Sequence, residues 1–410
     1  MRGRTIAAMV VASGALVWGA ACATPEDAGA VSTDPPPAPL PEQDAAAPDA
    51  EPAAPPCTDD CEYFVAACAD DVLCPNGLLD GAQLVADAGQ LDPRTALHLV
   101  RGRSASDVWA LGSLGTIVHF DGTSWSPSLL PPTPESPLGR LPTVTALWLR
   151  SESEVALGGF DRVFARGLDA PGVDAGASSD GWSGKGALPI AAITGYQPRE
   201  QWLKTGWAAP GSEWFWLATV RTFTGGTGMS GLARMRVTDA LAFDGRSAKA
   251  HASSFSSLHG ATANDLWAVG MNGAVMRITD ADSASPTFKS YDSQTRNALY
   301  GVWAASESDA WAVGFAGTIR HFVGESEGWV PVDGVPEAAQ LNAVWGTSSS
   351  DVWAVGNDAM VLHYDGTSWS RMKIGGLGAR RPDLLSVWAA GPGQVWIGGA
   401  GVLLTVGGKS

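Results

Sequence analysis

Six carboxylates and one amide recur along the chain at Asp107, Glu154, Glu213, Asp265, Asp309, Asp351 and Gln394, between 42 and 59 residues apart. Two close carboxylates could hydrolyse a glycosidic bond, one donating a proton while the other supports the sugar cation or a water. No recognisable pair stands out among the scattered acids. Three of the six histidines, His119, His321 and His363, lie twelve residues after such an acid. Shared metal binding would require their imidazoles to converge, whereas repetition spreads them over successive units. They are therefore read as repeat residues, and no metal or other cofactor is expected. The recurring Asp, placed after Ser or Asn and before a strand, is expected to bond the backbone of its own turn.

Two phosphate-like motifs fail on context. Gly226-Thr-Gly-Met-Ser-Gly231 has dinucleotide-loop spacing, but Leu232 to Val237 alternates like a strand where that loop needs a helix, so it is read as a hairpin loop. Lys409-Ser410 has Leu403 where a phosphate loop would begin with glycine, and no helix follows.

The elements that carry these residues are strands. Six positions before each acid or amide stand Arg101, Trp148, Trp207, His259, Trp303, Trp345 and Trp388. The best-kept unit divides into Leu341 to Trp345, Val352 to Gly356, Met360 to Tyr364 and Ser368 to Arg371, with Asp365-Gly366 as a tight turn. Four strands per 42 to 59 residues is the period of a propeller blade. A lone blade exposes two apolar faces, so neighbours must stack and the ring must close. The sequence thus predicts an all-β fold, a seven-bladed β-propeller of four-stranded blades over residues 83–410. Of 18 Trp, fourteen fall at repeat positions and are read as packing residues. The seventh unit has only three strands before the chain stops at Ser410, and a strand near Gln83 to Asp87 is expected to fill its edge.

Residues 1–22 read as an export signal: a basic start, a short apolar run from Ile6 to Trp18, then small residues before Cys22. Residues 23–56 are Ala, Pro and acids, a composition that cannot bury a core, and are read as a disordered tether. Most of the net charge of −16 lies between Ala23 and Ala96, so the acidity says little about the ring's partner. A nucleic-acid role would want a basic face and is excluded. Cys57, Cys61, Cys68 and Cys74 fall in a small segment, residues 57–82, and are expected to form two local disulfides, with three pairings open. Zinc is the rival reading, but the paired Cys-x-x-Cys knuckles are missing. The segment is read as a rigid collar outside the ring.

Taken together, these residues resemble the surface lipoproteins of myxobacteria and related Gram-negative bacteria, with repeats of the form Ser-x-x-Asp-Val-Trp-Ala-Val-Gly and His-Phe-Asp-Gly-Thr-Ser-Trp. The chain is more distantly similar to Asp-box propellers, although Asp121 and Asp365 have Gly directly next and Trp one residue early. The resemblance implies lipid attachment at Cys22 and a place on the outer membrane or cell surface, with ordinary cleavage as the alternative because Gly19 stands where Leu is usual. The expected function is a non-catalytic binding or scaffold module that acts as a monomer on an envelope protein or polysaccharide. A glycan-active, sialidase-like enzyme is the alternative. Arg234, Arg236 and Arg246 cluster in a stretch that breaks the repeat and are the expected partner-binding residues.

Overall fold

The computed structural model describes residues 60–79, 91–131, 143–158, 163–168, 178–185, 201–221, 230–237, 243–251, 254–336 and 338–408. Contacts divide the chain into Met1–Ala54 and Pro55–Ser410, and everything below concerns the second unit. The export signal, Cys22, the tether and Cys57 lie outside the described residues.

The strands assemble into a β-propeller. Six sheets have four antiparallel strands each, in sequence order, and a further sheet has six. Seven four-stranded blades were expected; six are found. The seventh repeat supplies Leu384–Gly391, Gln394–Gly399 and Val402–Val406 to the six-stranded sheet, where the extra strands come from elsewhere. Its open edge is paired antiparallel by Leu73–Pro75, which in turn lies parallel to Ile374–Gly375, followed by Phe64–Val65. The expected edge strand at Gln83 to Asp87 lies outside the described residues, and Leu73–Pro75 occupies that edge. The reason is physical: Val72, Leu73 and Cys74 are buried, and their backbone satisfies donors and acceptors that Val402–Val406 would otherwise leave open. The Cys-rich segment is therefore part of a sheet and not a separate collar. Cys68 and Cys74 form a disulfide, and Cys61 is also disulfide-bonded.

The best-kept repeat folds as read, into Leu341–Ser348, Asp351–Gly356, Val361–Tyr364 and Trp369–Arg371. Its last hairpin turns on Gly366, whose φ of +93° suits glycine, while the Asp365 carboxylate accepts from the amides of Thr367 and Ser368 at 2.8 and 2.9 Å. Ser230–Val237 is a strand paired antiparallel with Phe215–Arg221, where a dinucleotide loop would need a helix, and Gly226 to Met229 of the glycine motif lie outside the described residues.

The core lies between sheets. One apolar cluster joins Trp303 and Val313 to Val344, Val352 and Leu362 of the next sheet. Another joins Val100, Val108 and Phe120 of the first repeat to Trp388, Trp396 and Leu403 of the last, so the two ends of the ring pack on each other. Close approach at these joints requires glycine. A Cβ on Gly346 would sit 2.6 Å from the Trp303 ring, and one on Gly102 would sit 2.6 Å from the Trp388 ring.

Candidate functional site at the centre of the ring

The first strand of each repeat runs beside its neighbours at the centre of the ring. Around them lies a cavity of about 480 Å³, walled by Arg101, Trp148, Trp207, His259, Trp303, Trp345 and Trp388. These are the seven residues that stand six before the repeating acid or amide. Five tryptophans assigned only to packing therefore have a second face. Trp148, Trp207, Trp303 and Trp388 are mostly buried, yet each contributes to the cavity wall. An indole suits this place because it fills the wedge between sheets while presenting an apolar edge.

Arg101 and His259 replace Trp at two of these positions, and both are polar. The Arg101 Nη1 donates to the carbonyls of Val100 at 2.8 Å and Val387 at 3.4 Å, and its guanidinium carbon lies 4.7 Å from the centre of the Trp345 ring. No carboxylate pairs with it among the described residues. Burial alone pushes its pKa down to about 10, so the group is still charged at neutral pH. The His259 Nδ1 accepts the Ala304 amide at 3.0 Å. Burial first, and the nearby Arg101 charge second, hold its pKa well below the ordinary range. A neutral ring whose Nδ1 accepts carries its proton on Nε2, and that N–H has no protein acceptor among the described residues.

Two further arginines line the cavity. Arg103 is compensated: it meets Asp107 and Glu154, each at 2.7 Å, and so ties the first sheet to the second. Arg150 lies 5.1 Å from the Trp148 ring centre, and burial lowers its pKa. Neither Asp nor Glu is among the residues that line the cavity.

The repeating acids lie away from it and act as hubs within their own sheets. Asp351 accepts from Trp353 Nε1 at 2.9 Å, His363 Nε2 at 2.7 Å and the Thr347 hydroxyl. Asp107 accepts from Trp109 Nε1 at 2.9 Å, His119 Nε2 at 2.8 Å and Arg103. Asp309 accepts from His321 at 2.8 Å. Where backbone bonds within the turn were expected, these carboxylates hold side chains across the sheet, because His twelve residues on stands directly opposite the second-strand Trp. The rings of Trp353 and His363 stack at 4.2 Å, which leaves the imidazole Nε2 directed to Asp351. The fourth sheet uses Arg277 instead, bonded to Asp265 at 2.6 and 2.9 Å. The three histidines thus stay on three separate sheets.

The arginines expected to capture a partner are placed differently. Arg234 is buried, donates to the carbonyls of Ala281, Ser283 and Ala284, and lies 4.2 Å from the Trp214 ring centre. Arg236 pairs with Glu213, and its guanidinium carbon lies 4.9 Å from the centre of the same Trp214 ring. Arg246 stands opposite Arg234 in Phe243–His251. Arg234 therefore faces inward and binds this chain's own backbone. The residues missed were Arg101 and His259, although the sequence carried a signal for them: each breaks a Trp column that five of seven repeats keep.

No protein-family model and no curated protein matches the chain. Solved structures share its fold. YCF48 bound to D1 peptide aligns with a TM-score of 0.56 at 13% identity, over 76% of this chain and 93% of that one. Virginiamycin B lyase from Staphylococcus aureus aligns with a TM-score of 0.52 at 14% identity, over 76% and 94%. The WD40 propeller domain of Doa1 gives 0.50 at 10% identity, over 76% and 91%. At these identities the likeness defines the class, a β-propeller, and nothing finer.

Proposed function

We propose that this chain is an envelope-anchored binding module whose recognition surface is the central cavity of its ring. In this reading the six-stranded sheet takes the seventh place in the propeller, residues 1–22 export the chain, and lipid on Cys22 holds it to a membrane. The observation that carries the proposal is the cavity itself: all seven repeats send one residue into it, mostly indole, and it has the size of a small-ligand site. The YCF48 structure with its bound peptide is consistent with a propeller that recognises protein, so a polypeptide partner is favoured. A glycosidase at this cavity would need two carboxylates flanking the bond, and its lining offers none.

Ser151 and Pro210 are exposed at the rim of the cavity. Replacing both by Trp should cut capture of partner from an envelope extract at least tenfold, with the melting temperature unchanged; equal capture would place recognition elsewhere. Anchoring is tested separately. Cys22→Ser should move the chain from the membrane to the soluble fraction, and unchanged sedimentation with membranes would refute lipid attachment.

A further inference from the structure

We infer that the central cavity binds a carboxylate carried on an apolar body, with the Arg101 guanidinium as its anion contact and His259 Nε2–H as a second donor. This rests on the reading that the cavity is the recognition surface, and it names what the cavity takes.

The argument begins with unsatisfied chemistry. A guanidinium has five N–H donors, and both bonds that Arg101 makes come from Nη1. Its Nε and Nη2 donors have no acceptor among the described residues. Those two nitrogens form one side of the fork, the side that grips a carboxylate through two parallel bonds. An indole face and two carbonyls soften the cost of enclosing this charge but do not neutralise it. Arginines that hold this ring spread their bonds over the guanidinium, to carboxylates at Arg103 and Arg277 and to three carbonyls through Nη1 and Nη2 at Arg234, whereas Arg101 uses Nη1 alone. It has no carboxylate among the described residues, and the cavity lining holds no acid that could serve.

The rest of the wall limits the ligand. A cationic ligand is disfavoured because arginines already sit over the Trp345 and Trp148 faces. A sugar chain needs many hydroxyl partners, whereas the neutral polar side chains of the wall are Ser151 and His259. Indole walls and one deep cation fit a single anion joined to a flat or aliphatic body. Such an anion can belong to a free organic acid or to the end of a polypeptide chain, and the chemistry at Arg101 is the same.

Calorimetric titration of the exported chain with matched probes tests this. Indole-3-acetate and acetyl-Gly-Gly-Trp with a free terminus are compared with indole-3-acetamide and the amidated peptide. At least one acid should bind tenfold or more tightly than its amide. Binding of the small acid alone would assign the site to free acids, and binding of the peptide acid as well would assign it to chain ends. Arg101→Gln should abolish the preference for acid over amide, Arg101→Lys should keep part of it, and the Gln variant should melt no lower than the parent because a half-buried charge with no carboxylate partner among the described residues has been removed. Equal binding of acid and amide, or no binding of either acid at millimolar concentration, would overturn the inference. So would a Gln variant that melts lower while acid preference persists. If Arg101→Gln captures envelope partner as the parent does while the rim variant fails to, the cavity remains the recognition surface and only the carboxylate assignment falls.

Discussion

Charged residues of the ring divide into those that have a counter-ion and so tie strands together and those that have none among the described residues. Asp107 belongs to the first group. Burial would push its carboxyl up, but hydrogen bonds from His119 and Arg103 and their charges outweigh that and hold it down to about 2. In the unfolded chain an Asp titrates near 4. A carboxyl whose pKa is lower when folded adds stability that is complete above the unfolded value and fades as pH falls toward the folded one. The window is therefore about pH 4 to 2. Asp107→Asn should cost about 2 kcal/mol in urea unfolding at pH 6, in the range for a hydrogen bond to a charged group. By pH 2 the gap between parent and variant should shrink by half or more; an unchanged gap would mean that the charge of Asp107 contributes nothing. Arg101 belongs to the second group, with the opposite sign: no carboxylate pairs with it among the described residues, and burial disfavours its charged form.

At the scale of elements, the strand pattern was legible because its causes are local. Val and Trp alternating between Ser, Asp and Gly specify short strands, and Asp-Gly specifies the hairpin at Gly366 with its positive φ. The same local logic misassigned Asp351, since a sequence shows that Asp precedes a strand but not that His363 lies across the sheet from Trp353. Register between strands is a tertiary fact. The closing strand failed for the same reason. Leu73–Pro75 is three residues long, contains Cys74 and ends in a proline, a residue that argues against a strand lying between two neighbours as this one does. Nothing in its own composition distinguishes it from a collar. The arginine cluster divides: Arg234 is turned inward against backbone carbonyls and the Trp214 ring, Arg236 pairs with Glu213 at the surface, and the Arg246 side chain lies outside the described residues. Arg101 and His259 were visible as breaks in a column. Their meaning was not, because only closure of the ring brings position one of every repeat to a common centre.

The whole molecule depends on that closure, and closure involves both ends of the ring-forming chain. The last repeat packs its Trp388 and Trp396 against Val100, Val108 and Phe120 of the first. Its outer edge is then sealed by Leu73–Pro75, from a segment that precedes the first repeat. Leu73 is 1% exposed and Cys74 0%, so this strand is core and not decoration. The Arg371 guanidinium lies 4.4 Å from the Tyr63 ring and its Nη1 is 3.0 Å from Asp60, which fastens the same segment to the sixth repeat. A seal of this kind predicts a sharp boundary for truncation. A chain that begins at Pro55 keeps every described contact and should melt within about 2 °C of the full chain. A chain that begins at Asn76 loses the edge strand, the Cys68–Cys74 disulfide and the buried Leu73 side chain, whose removal alone is comparable to a Leu→Ala change of about 2–5 kcal/mol. At about 1.4 °C per kcal/mol in a domain of this size, its transition should fall by at least about 3 °C. It should also associate through the exposed edge of Val402–Val406, visible as higher-order species in size-exclusion chromatography. If the shorter chain melts and elutes like the longer one, the ring closes without the strand, and the packing of the last repeat on the first is sufficient by itself.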